Sequence, residues 1–281
     1  MRELPVQEIS AALASMSVEA CCHLGEDVVA FFQRAVAREE SEVGREVFRQ
    51  LLANAEIART ESMPLCQDTG LAVVFLDLGQ DVHLVGGDLT AAVDEGVRRG
   101  NRDGYLRRSS VADPVGARRN TGDNTPAILH VSIVPGDRVR VVLMAKGGGA
   151  ENKSALTMLT PAQGRQGLVD FVVETVARAG PDACPPLIVG VGVGGNFERA
   201  PLLAKRALLR RLGSVNAEPR LAELEDEVEA RCNALGIGPQ GLGGSITVMD
   251  VFVAEAPAHI ASLPVAVNIQ CHSSRHREMV L

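Results

Sequence analysis

Tryptophan is absent from this chain, tyrosine occurs once in 281 residues, and aromatics together make up 3%. That scarcity removes the stacking platform on which single-stranded nucleic acid is usually held. A cationic surplus is missing too: 28 Lys and Arg against 35 Asp and Glu leave a formal charge of −7, so no nucleic-acid partner is expected. No apolar run approaches the ~20 residues of a membrane span. The start, Met1-Arg2-Glu3-Leu4-Pro5-Val6-Gln7-Glu8, has acids where a secretory signal needs basic and apolar residues. The expectation is a cytoplasmic protein, away from the membrane, with reduced thiols. None of the six cysteines forms the C-x-x-C spacing of a zinc knuckle or thioredoxin-like motif.

What is present describes a folded chain, 46% apolar and 22% charged, long enough to bury a core. Apolar residues at helical spacing predict helices over roughly 7–60. Strands are predicted over 71–76, 127–133, 139–144, 186–193, 245–254 and 263–269, and helices over 88–99, 166–178, 197–212 and 219–235. Asp88 is the expected N-cap of the helix that follows it. The strands on either side of Pro135-Gly136-Asp137 read as a hairpin. With no repeat, low-complexity tract or linker, the chain reads as one domain over 1–281: a helical N-terminal layer (1–60) packed on a mixed α/β core (61–281). The class is mixed α/β, α+β in layout, with Gly-rich loops carrying the site.

Two glycine motifs invite a nucleotide reading. Gly190-Val191-Gly192-Val193-Gly194-Gly195 follows an apolar strand and precedes a helix, as the dinucleotide fingerprint does. The acidic strand end required about 20 residues later is missing, because Lys205 to Leu212 is basic and helical. The plainer reading is that these glycines let backbone approach backbone. Gly147 to Ser154 resembles a phosphate loop, but Asn152 stands where glycine must precede Lys153-Ser154. What remains is a run of amides beside Lys146, Glu151 and Asn152 suited to a small carboxylate.

The cysteines separate by context. Cys21, Cys22 and Cys232 lie inside helical patterns and read as core. Cys66, Cys184 and Cys271 each lie at a loop or strand end beside Pro, Gly or short polar residues. Three thiolates from remote loops suit a cluster assembled by the tertiary fold, and three ligands on a four-iron centre leave one iron open to substrate. Cys66-Gln67-Asp68 alone also admits a nucleophile reading.

Five blocks share a pattern. Cys66-Gln67-Asp68-Thr69-Gly70, Asn120-Thr121-Gly122-Asp123-Asn124-Thr125-Pro126, Lys146-Gly147-Gly148-Gly149-Ala150-Glu151-Asn152, Cys184-Pro185-Pro186 and Asn268-Ile269-Gln270-Cys271-His272-Ser273-Ser274-Arg275-His276 together resemble the iron–sulfur hydro-lyases, class I fumarases and L-tartrate dehydratases. The similarity is to the alpha subunit. It implies that Cys66, Cys184 and Cys271 ligate a [4Fe-4S] cluster with one iron not held by protein. It implies that Gln67, Arg107, Gly148 and Gly149 bind substrate, with Arg108 as the alternative to Arg107, and that Asp68 and His259 serve the chemistry. The resemblance further implies a separate beta subunit completing the site, an alpha2beta2 heterotetramer and a small dicarboxylate substrate, malate/fumarate or tartrate. The catalytic base belongs either to this chain or to the beta subunit. A non-catalytic iron–sulfur redox scaffold is the rival class.

Overall fold

After strand β1 (Arg2–Pro5), three helices fill the opening of the chain: α1 (Val6–Cys22), α2 (Glu26–Arg38) and α3 (Glu42–Glu61), in a computed structural model that describes residues 2–281. Their spacing decides them, since Ile9, Leu13, Met16 and Ala20 recur every three or four residues of α1 and all are buried. Next come β2 (Leu71–Gly79), β3 (Val82–Val85) and α4 (Leu89–Asp103). Asp88 caps α4 as expected, its carboxylate accepting the Ala91 N–H at 2.8 Å. The remainder is β4 (Ile128–Val134), β5 (Val139–Lys146), the single turn α5 (Gly148–Glu151), β6 (Ala155–Leu159), α6 (Gly164–Ala179), β7 (Leu187–Gly195), α7 (Arg199–Ala207), α8 (Pro219–Asn233), β8 (Val248–Ala258), β9 (Leu263–Gln270) and β10 (His276–Val280). Both four-stranded sheets mix parallel and antiparallel pairs, the mixed α/β class that the sequence indicates.

The chain divides into two compact units. Residues 2–25, 54–148 and 275–281 form the first, and residues 26–53 and 149–274 the second, so α3 runs from the second into the first.

The first unit holds a sheet ordered β10-β5-β2-β4 and the short parallel pair β1-β3. The expected hairpin between β4 and β5 does not form: β2 lies between them, parallel to β4 and antiparallel to β5. The reason is burial. Val73, Val74, Phe75 and Leu76 are at most 1% exposed, so β2 needs a neighbour on each side, whereas β4, with Ile128, Val131 and Ile133 exposed, tolerates the edge. The turn after β4 closes over the end of β2, where the Gly79 N–H donates to the Arg138 carbonyl at 2.9 Å. α1 and α4 cover one face, setting Ile9, Leu13, Met16, Val93 and Val97 against Val74, Leu76, Val141 and Leu143. Each large side chain so buried contributes roughly 1.5–3 kcal/mol before entropy is counted.

In the second unit the sheet order is β6-β9-β7-β8. α6 and α8 pack on one face through Leu168, Val172, Leu224 and Val228 against Val189, Val191, Val267 and Ile269. α7 takes the other face, with Ala200 and Ala204 against Ala266. A Cβ on Gly190 would lie 2.1 Å from the Ala204 carbonyl oxygen, and one on Gly192 2.0 Å from that of Ala200. The glycine run of β7 therefore serves helix-on-strand packing, the plainer of the two sequence readings. β1, β3, β6 and β10 escape sequence detection because they hold only four or five residues each.

Candidate functional site

In the first unit, residues 62–70 join α3 to β2 and are pinned from both sides. The Leu65 N–H donates to the Cys21 carbonyl at 2.8 Å, and the Leu65 carbonyl accepts from Asn54 Nδ2 at 3.0 Å. Leu65 is thereby buried, leaving Cys66 and Asp68 half-buried and Gln67 exposed. The Cys66 thiol donates to Gln67 Oε1 at 3.2 Å, and the Asp68 N–H points at Cys66 Sγ at 3.4 Å. The sulfur is thus engaged on both sides by its own loop.

Gly70 draws a distant block to this loop. At φ +74°, a Cβ there would fall 2.0 Å from the Lys146 carbonyl oxygen, so only glycine admits the approach. The turn after β5 then runs alongside: a Cβ on Gly147 would lie 3.1 Å from Asp68 Oδ2, and one on Gly148 3.8 Å from the same oxygen. Asp68 and Gly148, two of the sequence-nominated residues, thus meet around one carboxylate.

Arg107 and Arg108 sit in the loop before β4, and both are exposed. Asn124, 1% exposed and at φ +61°, holds that loop. Its Oδ1 accepts the N–H groups of Ser109 and, at 3.1 Å, of Ser110, while its Nδ2 donates to Asn101 Oδ1 at 2.6 Å and to the Arg107 carbonyl at 2.9 Å. Asn120 Nδ2 likewise donates to the Arg108 carbonyl at 2.8 Å. The Asn120 to Pro126 block, to which sequence reasoning gave no role, is therefore the clamp that shapes the arginine loop. Arg108 lines a depression of about 560 Å³ with Arg98, Arg102 and Tyr105. Arg98 and Arg102 already face Asp123 and Asp103, each at 2.8 Å, so Arg108 is the lining arginine to consider beside Arg107.

In the second unit, Cys184 and Cys271 come to one end of the sheet. β7 and β9 are antiparallel with Ile188 opposite Gln270, so the residues before β7 and after β9 are neighbours. The His272 N–H donates to the Cys184 carbonyl at 3.3 Å, and His272 Nδ1 lies 3.1 Å from the same oxygen. Cys184 is exposed and left-handed at φ +55°, a conformation that costs about 1 kcal/mol or more for a residue with a Cβ and that clusters at functional sites. Gln240 supports it: its backbone N–H and its Nε2 both donate to the Pro185 carbonyl at 2.8 Å. Cys271 is half-buried, with Gln270 Nε2 3.6 Å from its sulfur. Asn268 Nδ2 donates to Glu151 Oε2 at 3.1 Å, and Glu151 pairs with Lys205, tying the block around Cys271 to the glycine turn. Gly149, in that turn, faces the Asp182 carbonyl, 3.9 Å from where a Cβ would be. Gln240 carried no mark in the sequence, whereas Gln270 was signalled by adjoining Cys271.

The other three cysteines are core, as expected, at 0–1% exposure. Burial pushes the Cys21 thiol up to about 11 and that of Cys232 to about 12, and it raises Cys22 as well, so none yields a thiolate readily. His259 is placed apart. It caps the exposed turn between β8 and β9, its Nδ1 accepting the Ala261 N–H at 3.1 Å. Cys271 stands at the far end of β9, whose eight residues span roughly 26 Å. Among the described residues no three His, Cys, Asp or Glu side chains gather into a set that could hold a metal ion, and no helix is long and apolar enough to cross a membrane.

Comparison with known proteins bears on this geometry. The family described as Fumarate hydratase (Fumerase) matches residues 10–280. A Methanocaldococcus jannaschii protein named "Putative L(+)-tartrate dehydratase subunit alpha" is 38% identical over 275 residues, covering 95% of each chain. The Escherichia coli (strain K12) protein named "L(+)-tartrate dehydratase subunit alpha" is 30% identical over 282 residues, covering 100% of this chain and 93% of its own. A second Escherichia coli protein of that name, from strain UTI89, is 31% identical over 276 residues, 98% and 91% of the two chains. A match of this extent, through every block that forms the loops described above, makes the chain a member of the fumarate hydratase family.

Proposed function

We propose that this chain is the alpha subunit of a hydro-lyase that reversibly removes water from a four-carbon 2-hydroxy dicarboxylate. The observation that carries the reading is the family match over residues 10–280. The family's description favours malate and fumarate, while the names of the relatives favour tartrate, whose dehydration gives the enol of oxaloacetate. The relatives' names, each a subunit alpha, also support a beta subunit as partner; an alpha2beta2 assembly, with residues 1–281 working as one domain, completes the proposal.

Cys66, Cys184 and Cys271 are the proposed ligands of a [4Fe-4S] cluster with one iron not held by protein. Donor chemistry supports the fit: these are the three thiols outside the core, and two of them have N–H groups directed at sulfur. When bound, the cluster supplies a Lewis acid that polarises the hydroxyl to be expelled. The rest falls to side chains. Dehydration takes a weakly acidic proton from the carbon next to a carboxylate and expels hydroxide, which leaves as water with a second proton. Arg107, or Arg108, holds a substrate carboxylate through paired N–H donors. The amides of Gly148 and Gly149 and the Gln67 side chain orient the acid and stabilise charge that gathers on its carboxylate as the proton departs. Asp68 is the proton-handling group closest to that turn, and His259, on its exposed turn, is the second candidate; the beta subunit is the other source of the base.

The test is anaerobic purification with the beta partner, followed by iron and sulfide analysis and assays on malate and tartrate. Iron bound to the wild-type pair, dehydration of one acid and loss of both in Cys66→Ser are expected. A pair without iron, or a Cys66→Ser pair that keeps cluster and activity, sinks the reading. A reversible one-electron signal indifferent to dicarboxylate would favour the redox scaffold instead.

A further inference from the structure

Glu39 stands between α2 and α3 in the second unit, and at 1% exposure it is a buried carboxylate. Backbone and hydroxyl donors converge on it. Its Oε1 accepts from the N–H groups of Ser41 at 2.9 Å and Ser245 at 2.8 Å and from the Ser245 hydroxyl at 3.2 Å, while its Oε2 accepts from the Ile246 N–H at 2.9 Å. Burial pushes the carboxyl up, but these donors outweigh it and hold Glu39 below the ordinary glutamate value, so it binds as an ion that only accepts. Two glycines make room for it. A Cβ on Gly44 would lie 2.7 Å from Glu39 Cγ, and one on Gly244 2.6 Å from Oε1.

What Glu39 grips is the end of the Gly-rich loop 236–246, and within the same unit that loop meets Cys184 from both flanks. The loop is closed on itself, the Gly243 N–H donating to the Ile237 carbonyl at 2.9 Å and the Gly238 N–H to Thr247 Oγ1 at 3.1 Å. On one flank, a Cβ on Gly241 would fall 2.2 Å from Pro181 Cβ, and the Pro181 carbonyl accepts the Cys184 N–H at 3.0 Å. On the other, Gln240, left-handed at φ +53°, donates twice to the Pro185 carbonyl, and its Nε2 lies 3.1 Å from Nδ1 of His272, the residue after Cys271. Gln240 and Cys184 are both held in a conformation that persists only where the surroundings over-determine it. A carboxylate 206 residues away in the chain, tying down Ser245, supplies that constraint.

We propose that Glu39 is a positioning residue for Cys184: by fixing residues 245 and 246 it fixes the loop and Gln240, and so keeps the Cys184 thiol in the orientation in which it ligates. The assignment rests on the proposed cluster for its catalytic meaning and on the hydrogen bonds above for its hold on the loop.

Glu39→Gln keeps the shape and sets an NH2 group against a backbone N–H; Gln240→Ala and the double variant complete a cycle. In the isolated full chain, amide exchange at Gln240 and Cys184 is expected to quicken roughly tenfold in Glu39→Gln, with β7 and β9 protected as in wild type. In the anaerobic pair with the beta partner, each single variant should lose iron to excess EDTA roughly tenfold faster than wild type, and the double variant within about twofold of the faster single. Unchanged exchange at Cys184 overturns the proposal, as does protection lost throughout the second unit, the mark of a glutamate that only stabilises the fold. Fully additive effects on iron loss overturn it too, since Glu39 would not then act through Gln240. If the wild-type pair binds no iron, the cluster reading fails, and the exchange comparison alone still decides whether Glu39 holds Cys184.

Discussion

Gly70 packs so closely on Lys146 that a methyl group on it would sit 2.0 Å from the Lys146 carbonyl oxygen, at a backbone φ of +74°. This approach welds the Cys66 loop to the turn after β5. Gly70→Ala should therefore cost at least about 2 kcal/mol, from strain and a clash that neither backbone can relieve. Gly148→Ala, whose Cβ meets nothing nearer than 3.8 Å, should leave stability within about 0.5 kcal/mol yet impair turnover. Thermal melts of the two variants, run beside activity assays, separate the scaffold glycine from the site glycine.

The cysteines should divide three and three. Cys66→Ser, Cys184→Ser and Cys271→Ser are each expected to lower iron and sulfide content sharply while leaving the fold in place, since these side chains lie outside the core. Cys232→Ala should keep its iron and lose roughly 1 kcal/mol or more of stability, having removed a fully buried group. Iron retained in any of the three serine variants would remove that cysteine from the ligand set.

Asn124→Ala strips the acceptor from the Ser109 and Ser110 N–H groups and the donor from the Arg107 carbonyl. The loss should be about 1–3 kcal/mol. Because the loop carries both candidate arginines, KM should rise more than kcat falls. Steady-state kinetics beside denaturant melts would read both, and an unchanged KM would mean that the arginine loop does not meet substrate.

Stability should also depend on pH through the second unit. Burial, then the nearby charges of Asp250 and Asp226, raise Glu229 from 4.5 to about 7 despite Arg38, and burial raises Asp250 from 3.8 to about 6. A carboxyl raised on folding favours the folded state fully below its unfolded value, and that contribution is lost as pH rises through the folded one. Glu229→Gln should accordingly melt higher than wild type at pH ~8 and no higher at pH ~4. A Tm difference that does not vary with pH would contradict this.

Much of the fold was legible because the signals are local. Apolar spacing located the helices and the long strands, Asp88 announced its cap, and flanking Pro, Gly and short polar residues marked Cys66, Cys184 and Cys271 off from the three core cysteines. The five blocks named the family before any contact was seen. Strand pairing was not legible: that β2 separates β4 from β5 depends on which strand has both faces buried, a property of the assembled sheet.

Local sequence patterns settled the helices, the longer strands, the family and the residue types available for chemistry, since each is written in a short stretch or an ordered set of stretches. Only the tertiary structure decided which partners those residues meet. Gly70 against Lys146, Asn124 under the arginine loop and Cys184 beside His272 join positions tens of residues apart. The same holds for His259, which the resemblance assigns to the chemistry and which stands at the other end of β9 from Cys271. Desolvation and hydrogen-bond satisfaction are set by what surrounds a group after folding, and no local pattern in the chain encodes them.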